Sequence, residues 1–156
     1  MTEYRILVAR PEDIDAIVAD ARQADIDEVM AASGRGLADV MAEGLERSRV
    51  AWTGFAKQVP ICMFGVAPAA ELDGVGVPWM IGTNAVEAHA SVFLRRSRDV
   101  LDQMRELFPV LINYVGAENA TAVRWLRWMG FNLHPAEPYG LNGEMFHRFD
   151  LGAVHV

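Results

Sequence analysis

Few side chains in this chain stand where their type and spacing suggest chemistry. Glu87 and His89, two apart in "NAVEAHAS", are titratable groups of the kind that moves protons in general acid–base work, and Tyr114 in "VLINYV" is a third. Arg95, Arg96 and Arg98 follow within two helical turns. Such a cationic cluster either meets phosphate through charge-assisted bonds or forms a solvated helix face that pairs with Glu87. The most patterned stretch is "ENATAVRWLRWMGF", Glu118 to Phe131, which opens on a capping Asn and closes on a Gly that can stop a helix. In it Ala122, Leu126 and Met129 form the expected inward stripe, with Trp125 and Trp128 facing elsewhere. Other candidates fall away. His134, His147 and His155 lack a metal-ligand spacing, and "GVGVP" precedes no helix, so it reads as a turn. Cys62 lies in the apolar run "PICMFGVAP" and reads as a buried, inert thiol.

These residues need a frame, and the totals say what kind. At 156 residues, 52% hydrophobic and 22% charged, the chain is expected to fold as a single domain, 1–156, with a sizeable core. A net charge of -7 argues against nucleic acid and anionic membranes as partners. The acids gather early, from Glu12 to Glu28, and read as the solvated face of helices. One cysteine allows no internal disulfide. No apolar run approaches the length of a membrane helix, and the start carries no secretory pattern. The expectation is a soluble, intracellular-type protein, neither secreted nor membrane-spanning.

Periodicity then places the elements. Tyr4 to Ala9 reads as a strand, and helices follow from Pro11, over Ile26 to Ala32 and over Leu37 to Arg47. Strands are expected at Val50 to Ala56 and Ile61 to Val66, joined at Lys57–Pro60, and at Pro78 to Thr83 after the turn cluster "LDGVGVP". A long helix, Ser91 to Phe108, a strand, Val110 to Val115, the helix Asn119 to Met129 and strands at Phe131 to His134 and along "EMFHRFDL" complete the chain. The order predicts an α/β fold of the α+β type: a central mixed sheet of about six to seven strands with helices on both faces.

That order, with "N-x-x-A-x(7)-G-F" at Asn119, Ala122, Gly130 and Phe131, resembles the GNAT superfamily of N-acetyltransferases. The words "AWTG", "MFGVAP", "PWMIGT", "FLRRSRDVL" and "NYVGAENATAVRWLRWMGF" are further similar to small phage and prophage proteins related to the internal virion or morphogenesis protein of T7-type phages. The superfamily resemblance implies an acetyl-CoA site between splayed fourth and fifth strands. Backbone of Met80, Ile81 and Thr83 would face the pantetheine, Arg95 and Arg98 the phosphates, and Asn119 and Leu126 the closing helix. It also exposes departures. The diphosphate loop, which falls on Asn84 to Ser91, holds no glycine and contains Glu87, and Leu126 stands where the superfamily places an acidic Tyr. The strand offers no carboxylate base, which leaves Glu87, His89 and Tyr114 as the nearest candidates. The phage resemblance implies a module of virion assembly, with other virion proteins as partners and a degenerate acyl-CoA site. The alternative is an acetyl-CoA-dependent N-acetyltransferase acting on a small amine or a protein amino group. Metal binding is not expected, and association into oligomers stays open.

Overall fold

The computed structural model describes residues 3–152. Strand β1 (Tyr4–Val8) leads to three helices, α1 (Asp13–Ala19), α2 (Gln23–Ser33) and α3 (Leu37–Arg47). A meander of β2 (Val50–Ala56), β3 (Val59–Pro68) and β4 (Val75–Gly82) follows. Next come α4 (Asn84–Ala88), α5 (Ala90–Leu107), β5 (Val110–Gly116), α6 (Ala120–Met129), β6 (Asn132–Leu133), β7 (Glu137–Pro138) and β8 (Met145–Leu151). The open mixed sheet runs β1-β2-β3-β4-β5-β8-β6, with β7 on β8. It has eight strands rather than six or seven because β6 and β7, of two residues each, both find pairing along β8.

Local chemistry explains where the boundaries fall. Lys57 and Gln58 take positive φ at the β2–β3 turn, so β3 starts earlier than expected and includes Pro60. Pro60 sits opposite Phe55 at a register shift, where a strand tolerates a residue without an N–H. The turn before β4 closes at Gly74, which places Val75 to Val77 in the strand and corrects the reading of that segment as a turn. Gly76 must be glycine: a Cβ there would lie 2.7 Å from both Phe108 and Val66. Asn119 caps α6 through Ala122 N, and Gly130 ends it at φ 100°.

The sheet is covered on both faces. Against α1 and α3 lie Ile14, Ile17, Met41, Met63 and Ile81; against α5 and α6 lie Phe64, Val66, Leu101, Leu111 and Trp125. The expected acidic face is only partly solvated. Asp13 is buried because its carboxylate accepts from Arg10 N at 3.0 Å and Thr53 Oγ1 at 2.8 Å, and Asp25 is buried as well. Trp125 also departs from its expected outward place and is buried, with Phe93 at 5.4 Å between ring centroids. Ala122, Leu126 and Met129 pack more loosely against the same core, so the inward face of α6 is wider than one stripe. Cys62 is buried, and burial pushes its thiol up to about 12.

A third buried acid ties the last strands together. Asp150 on β8 is 0% exposed and pairs with Asn132 of β6 and Ile112 of β5 in the ladder. Its carboxylate meets His134 Nε2, accepts from Asn132 Nδ2 at 3.3 Å and lies 3.7 Å from Arg148 Nη2. Burial pushes the Asp150 carboxyl up, but the His134 and Asn132 hydrogen bonds and the His134 and Arg148 charges together hold it below its ordinary value. A depressed folded pKa adds stability that is present above the unfolded value and is lost as pH falls through the folded one. Asp150→Ala should therefore lower stability at neutral pH by about 2 kcal/mol, since it strands buried partners. Urea melts at neutral and acid pH should show that cost shrinking as the wild type is acidified.

Candidate functional site

The site begins with a missing ladder. Parallel strands β4 and β5 pair at Val75↔Val110 and Gly76↔Leu111 and nowhere beyond, although β4 continues to Gly82 and β5 to Gly116. The β3 register directs the N–H and C=O of even-numbered β4 residues toward β5, because alternate residues of an antiparallel strand turn those groups to opposite sides. The β8 register does the same for even-numbered β5 residues. Backbone polar groups along this gap need partners, since burying them unpaired is costly.

Side chains supply several of those partners. Asn113 spans the start of the gap, donating from Nδ2 to Pro78 O at 2.6 Å and accepting from Tyr114 N at 2.8 Å. Asp25 Oδ2 accepts from Gly82 N at 2.9 Å, and Glu28 Oε1 accepts from Gly116 N at 2.7 Å. Met80 lies between these clasps, with its N–H and C=O facing the gap where no β5 residue is in register with it.

The two carboxylates belong to one network. Arg22 Nη1 donates to Asp25 Oδ1 at 2.7 Å, and Arg22 Nη2 donates to Asn119 Oδ1 at 3.1 Å. Asn119 Nδ2 reaches Asp25 Oδ1 at 3.2 Å and Glu28 Oε1 at 3.3 Å. The Arg22 guanidinium lies 5.6 Å from the Trp125 ring centroid and 3.6 Å from Glu87 Oε1. Arg22, Asp25 and Asn119 are all buried. Arg22 thus contacts two carboxylates, Asp25 and Glu87, and Glu28 joins the network through Asn119. Burial raises the carboxyl of Glu28, and the nearby Asp25 charge adds to it, against the bonds from Gly116 and Asn119. Asp25 is raised by burial too, despite Gly82, Arg22 and Asn119.

A cavity of about 650 Å³ reaches this gap from both faces of the sheet. On the α5–α6 side Phe93, Val100, Trp125 and Leu126 line it; on the α2–α3 side Val29, Trp79 and Tyr114 do. Tyr114 stacks on Tyr139 at 3.9 Å between centroids and 10° between planes. Such a shape fits an extended arm entering between the strands from one face and a second reactant arriving from the other.

The residues singled out from sequence are distributed unevenly around it. Met80, Ile81, His89, Tyr114, Asn119 and Leu126 line the cavity. Ile81 packs under α1 and α3, and the His89 ring accepts or donates at Tyr4 Oη. Thr83 is buried, with Oγ1 donating to Ile61 O at 2.8 Å. Arg95 donates to Ser91 O on the exposed side of α5, and Arg98 stands 4.8 Å from the Trp128 ring centroid. The expected loop over Asn84 to Ser91 is instead helical: α4 and the first turn of α5. Its Val86 and His89 amides donate to Thr83 O and Val86 O, so the turn uses its own donors. This end does not fit a diphosphate, whereas the gap and its Met80 amide fit a pantetheine arm. His155 lies outside the described residues. Among those described, no group of three His, Cys, Asp or Glu could hold a metal ion, and no helix is long and apolar enough to cross a membrane.

Sequence reasoning missed Arg22, Asp25, Glu28 and Asn113. A signal existed for three of them: Arg22, Asp25 and Glu28 recur every third residue and so share one helix face. The raised carboxyl of Glu28 carries a sign that can be tested. A folded pKa above the unfolded one means stability present below the unfolded value and lost as pH rises through the folded value. Glu28→Gln keeps an acceptor for Gly116 N and removes the charge. Thermal melts from about pH 5 to pH 8 should show wild type losing stability across that range relative to the variant.

No protein-family model matches the sequence, and neither does any curated protein. Solved structures do resemble the fold. A ribosomal-protein-alanine N-acetyltransferase from Brucella melitensis superposes with TM-score 0.72 at 15% identity, covering 94% of this chain and 98% of its own. The yncA protein of Salmonella typhimurium, solved with its cofactor acetyl-CoA, gives 0.71 at 14%, covering 98% and 96%. An acetyltransferase of the GNAT family from Streptococcus pneumoniae gives 0.63 at 15%, covering 96% and 98%. At such identities the likeness is one of fold, and this chain has the fold of the GNAT N-acetyltransferases.

Proposed function

We propose that the chain, working as one domain, is an N-acetyltransferase that takes an acetyl thioester of the coenzyme A type into the β4–β5 gap and transfers the acetyl group to an amine. The observation that carries this reading is the gap itself, with the Met80 amide, which no β5 residue matches in register, on its edge and the Asp25 and Glu28 carboxylates at its mouth. The solved neighbour that holds acetyl-CoA on the same fold supports the donor.

The residues divide the work as follows. The Met80 N–H meets the thioester carbonyl, where negative charge grows during attack. Phe93, Trp125 and Leu126 wall the arm. An amine enters from the α2–α3 side as a cation, drawn by Asp25 and Glu28. Glu28, its carboxyl raised, accepts a proton and frees the nitrogen lone pair. Nitrogen attacks the carbonyl carbon, the C–N bond forms, the nitrogen gives up its second proton to solvent and the C–S bond breaks. Leu126 offers no proton, so the sulfur leaves as thiolate and is protonated by solvent. Asn119 holds both carboxylates in place.

A second reading has its own observation. The closed α4 turn and Leu126 suit a GNAT-fold module that has lost catalysis and serves in particle assembly alongside other virion proteins. One experiment separates the two. Millimolar acetyl-CoA should raise the melting temperature of the first and leave the second unchanged. In amine-acetylation assays Glu28→Gln should keep the thermal shift and lose about 10²-fold in turnover. Absence of any thermal shift refutes the transferase.

A further inference from the structure

The two ends of the sheet are finished differently. One end closes on β6 and β7, each two residues long, which give an incoming strand little to pair with. The other end is β1, five residues with no register shift against β2. Among the described residues no strand pairs with its outer side. Edge strands are commonly blunted by proline, lysine or a bulge, because their unpaired N–H and C=O groups invite another chain. β1 has none of these, and its one charge, Arg5, already pairs with Glu3 at 3.4 Å. Its Leu7 and Val8 are 48% and 74% exposed.

The outer edge has a definite phase. Ala9 N donates to Ala51 O and Lys57 N donates to Glu3 O, each at 3.0 Å. These bonds share the β1–β2 register, so Arg5 and Leu7 also turn their N–H and C=O toward β2. Tyr4, Ile6 and Val8 therefore turn theirs outward. An antiparallel strand completes this edge by setting its own outward residues against these. If that strand is a second β1, full overlap puts Ile6 on a two-fold axis, with Tyr4 of each copy opposite Val8 of the other. The side chains agree with this register. On one face Val8 covers Tyr4 and the two Ile6 residues meet, beside a recess of about 310 Å³ lined by Ile6, Trp52 and Val100. On the other face the stem of Arg5 lies over exposed Leu7. A slip of one residue loses both matches. We propose that β1 is a self-association edge: two copies of this chain pair β1 on β1, antiparallel about Ile6, into a two-fold dimer with one continuous sheet. The inference goes beyond the transferase reading and does not depend on it.

Sedimentation equilibrium of the full chain at micromolar concentration tests it, and wild type should give the mass of two chains. Val8→Pro removes an outward N–H and no bond to β2, so it should fold and weaken the dimer about tenfold. Val8→Lys, which sets a hydrated charge on the edge, should do the same and decides the matter if the proline variant fails to fold. Thermal melts check that each variant folds. Amide exchange reads the register. Tyr4, Ile6 and Val8 should exchange more slowly as wild type is concentrated, while Arg5 and Leu7, already bonded to β2, should change little. A wild type that stays monomeric to millimolar concentration overturns the proposal. So does a dimer that the folded variants keep undiminished, or one whose Tyr4, Ile6 and Val8 amides gain no protection.

Discussion

The rest of the site depends on a parallel strand pair that stops early. After Gly76 and Leu111 the β4 and β5 edges diverge, and each exposes backbone N–H and C=O groups that a continuous sheet would have paired. Every such group within the fold must be met by something else. Asn113, Asp25 and Glu28 meet four of these N–H or C=O groups. The gap is therefore a built feature, with side chains bound to its edges and a cavity passing through it.

Closing the edges with acids has an electrostatic consequence. Asp25 and Glu87 contact one guanidinium and Glu28 joins them through Asn119, and burial makes the surplus charge expensive. That cost raises the carboxyl groups of both Asp25 and Glu28 above their ordinary values. Under the proposed transferase reading, the groups that complete the backbone of the gap are also those that would draw a cationic amine. Asp150 shows the contrasting case. Its neighbours His134, Asn132 and Arg148 outweigh its burial, so it stays ionised and serves the packing of β6 on β8.

Much of the frame was legible because it follows from short-range rules. Helical spacing located α3 with its observed ends, and the Asn119 and Gly130 stops of α6 were readable as caps. Alternation and turn residues located β2 and β5 to within a residue. Errors arose where distant groups intervene. Asp13 was read as solvated because nothing near it in sequence announces Thr53. Trp125 was turned outward because Phe93 and Arg22 come from other elements. The glycine-free stretch after β4 was noticed as a departure, but not its closure into α4.

By itself the sequence determined the order of the main elements without the short α4 and β7, the mixed sheet with helices on both faces, and the absence of a glycine loop for diphosphate. Each rests on periodicity, capping or composition, which are properties of neighbours along the chain. Only the tertiary structure decided where β4 and β5 part, and that Arg22, Asp25, Glu28, Asn113 and Asn119 meet there. The physical reason is that a splay is defined by missing long-range hydrogen bonds. The side chains that replace those bonds come from segments far apart in sequence, so no local pattern marks them.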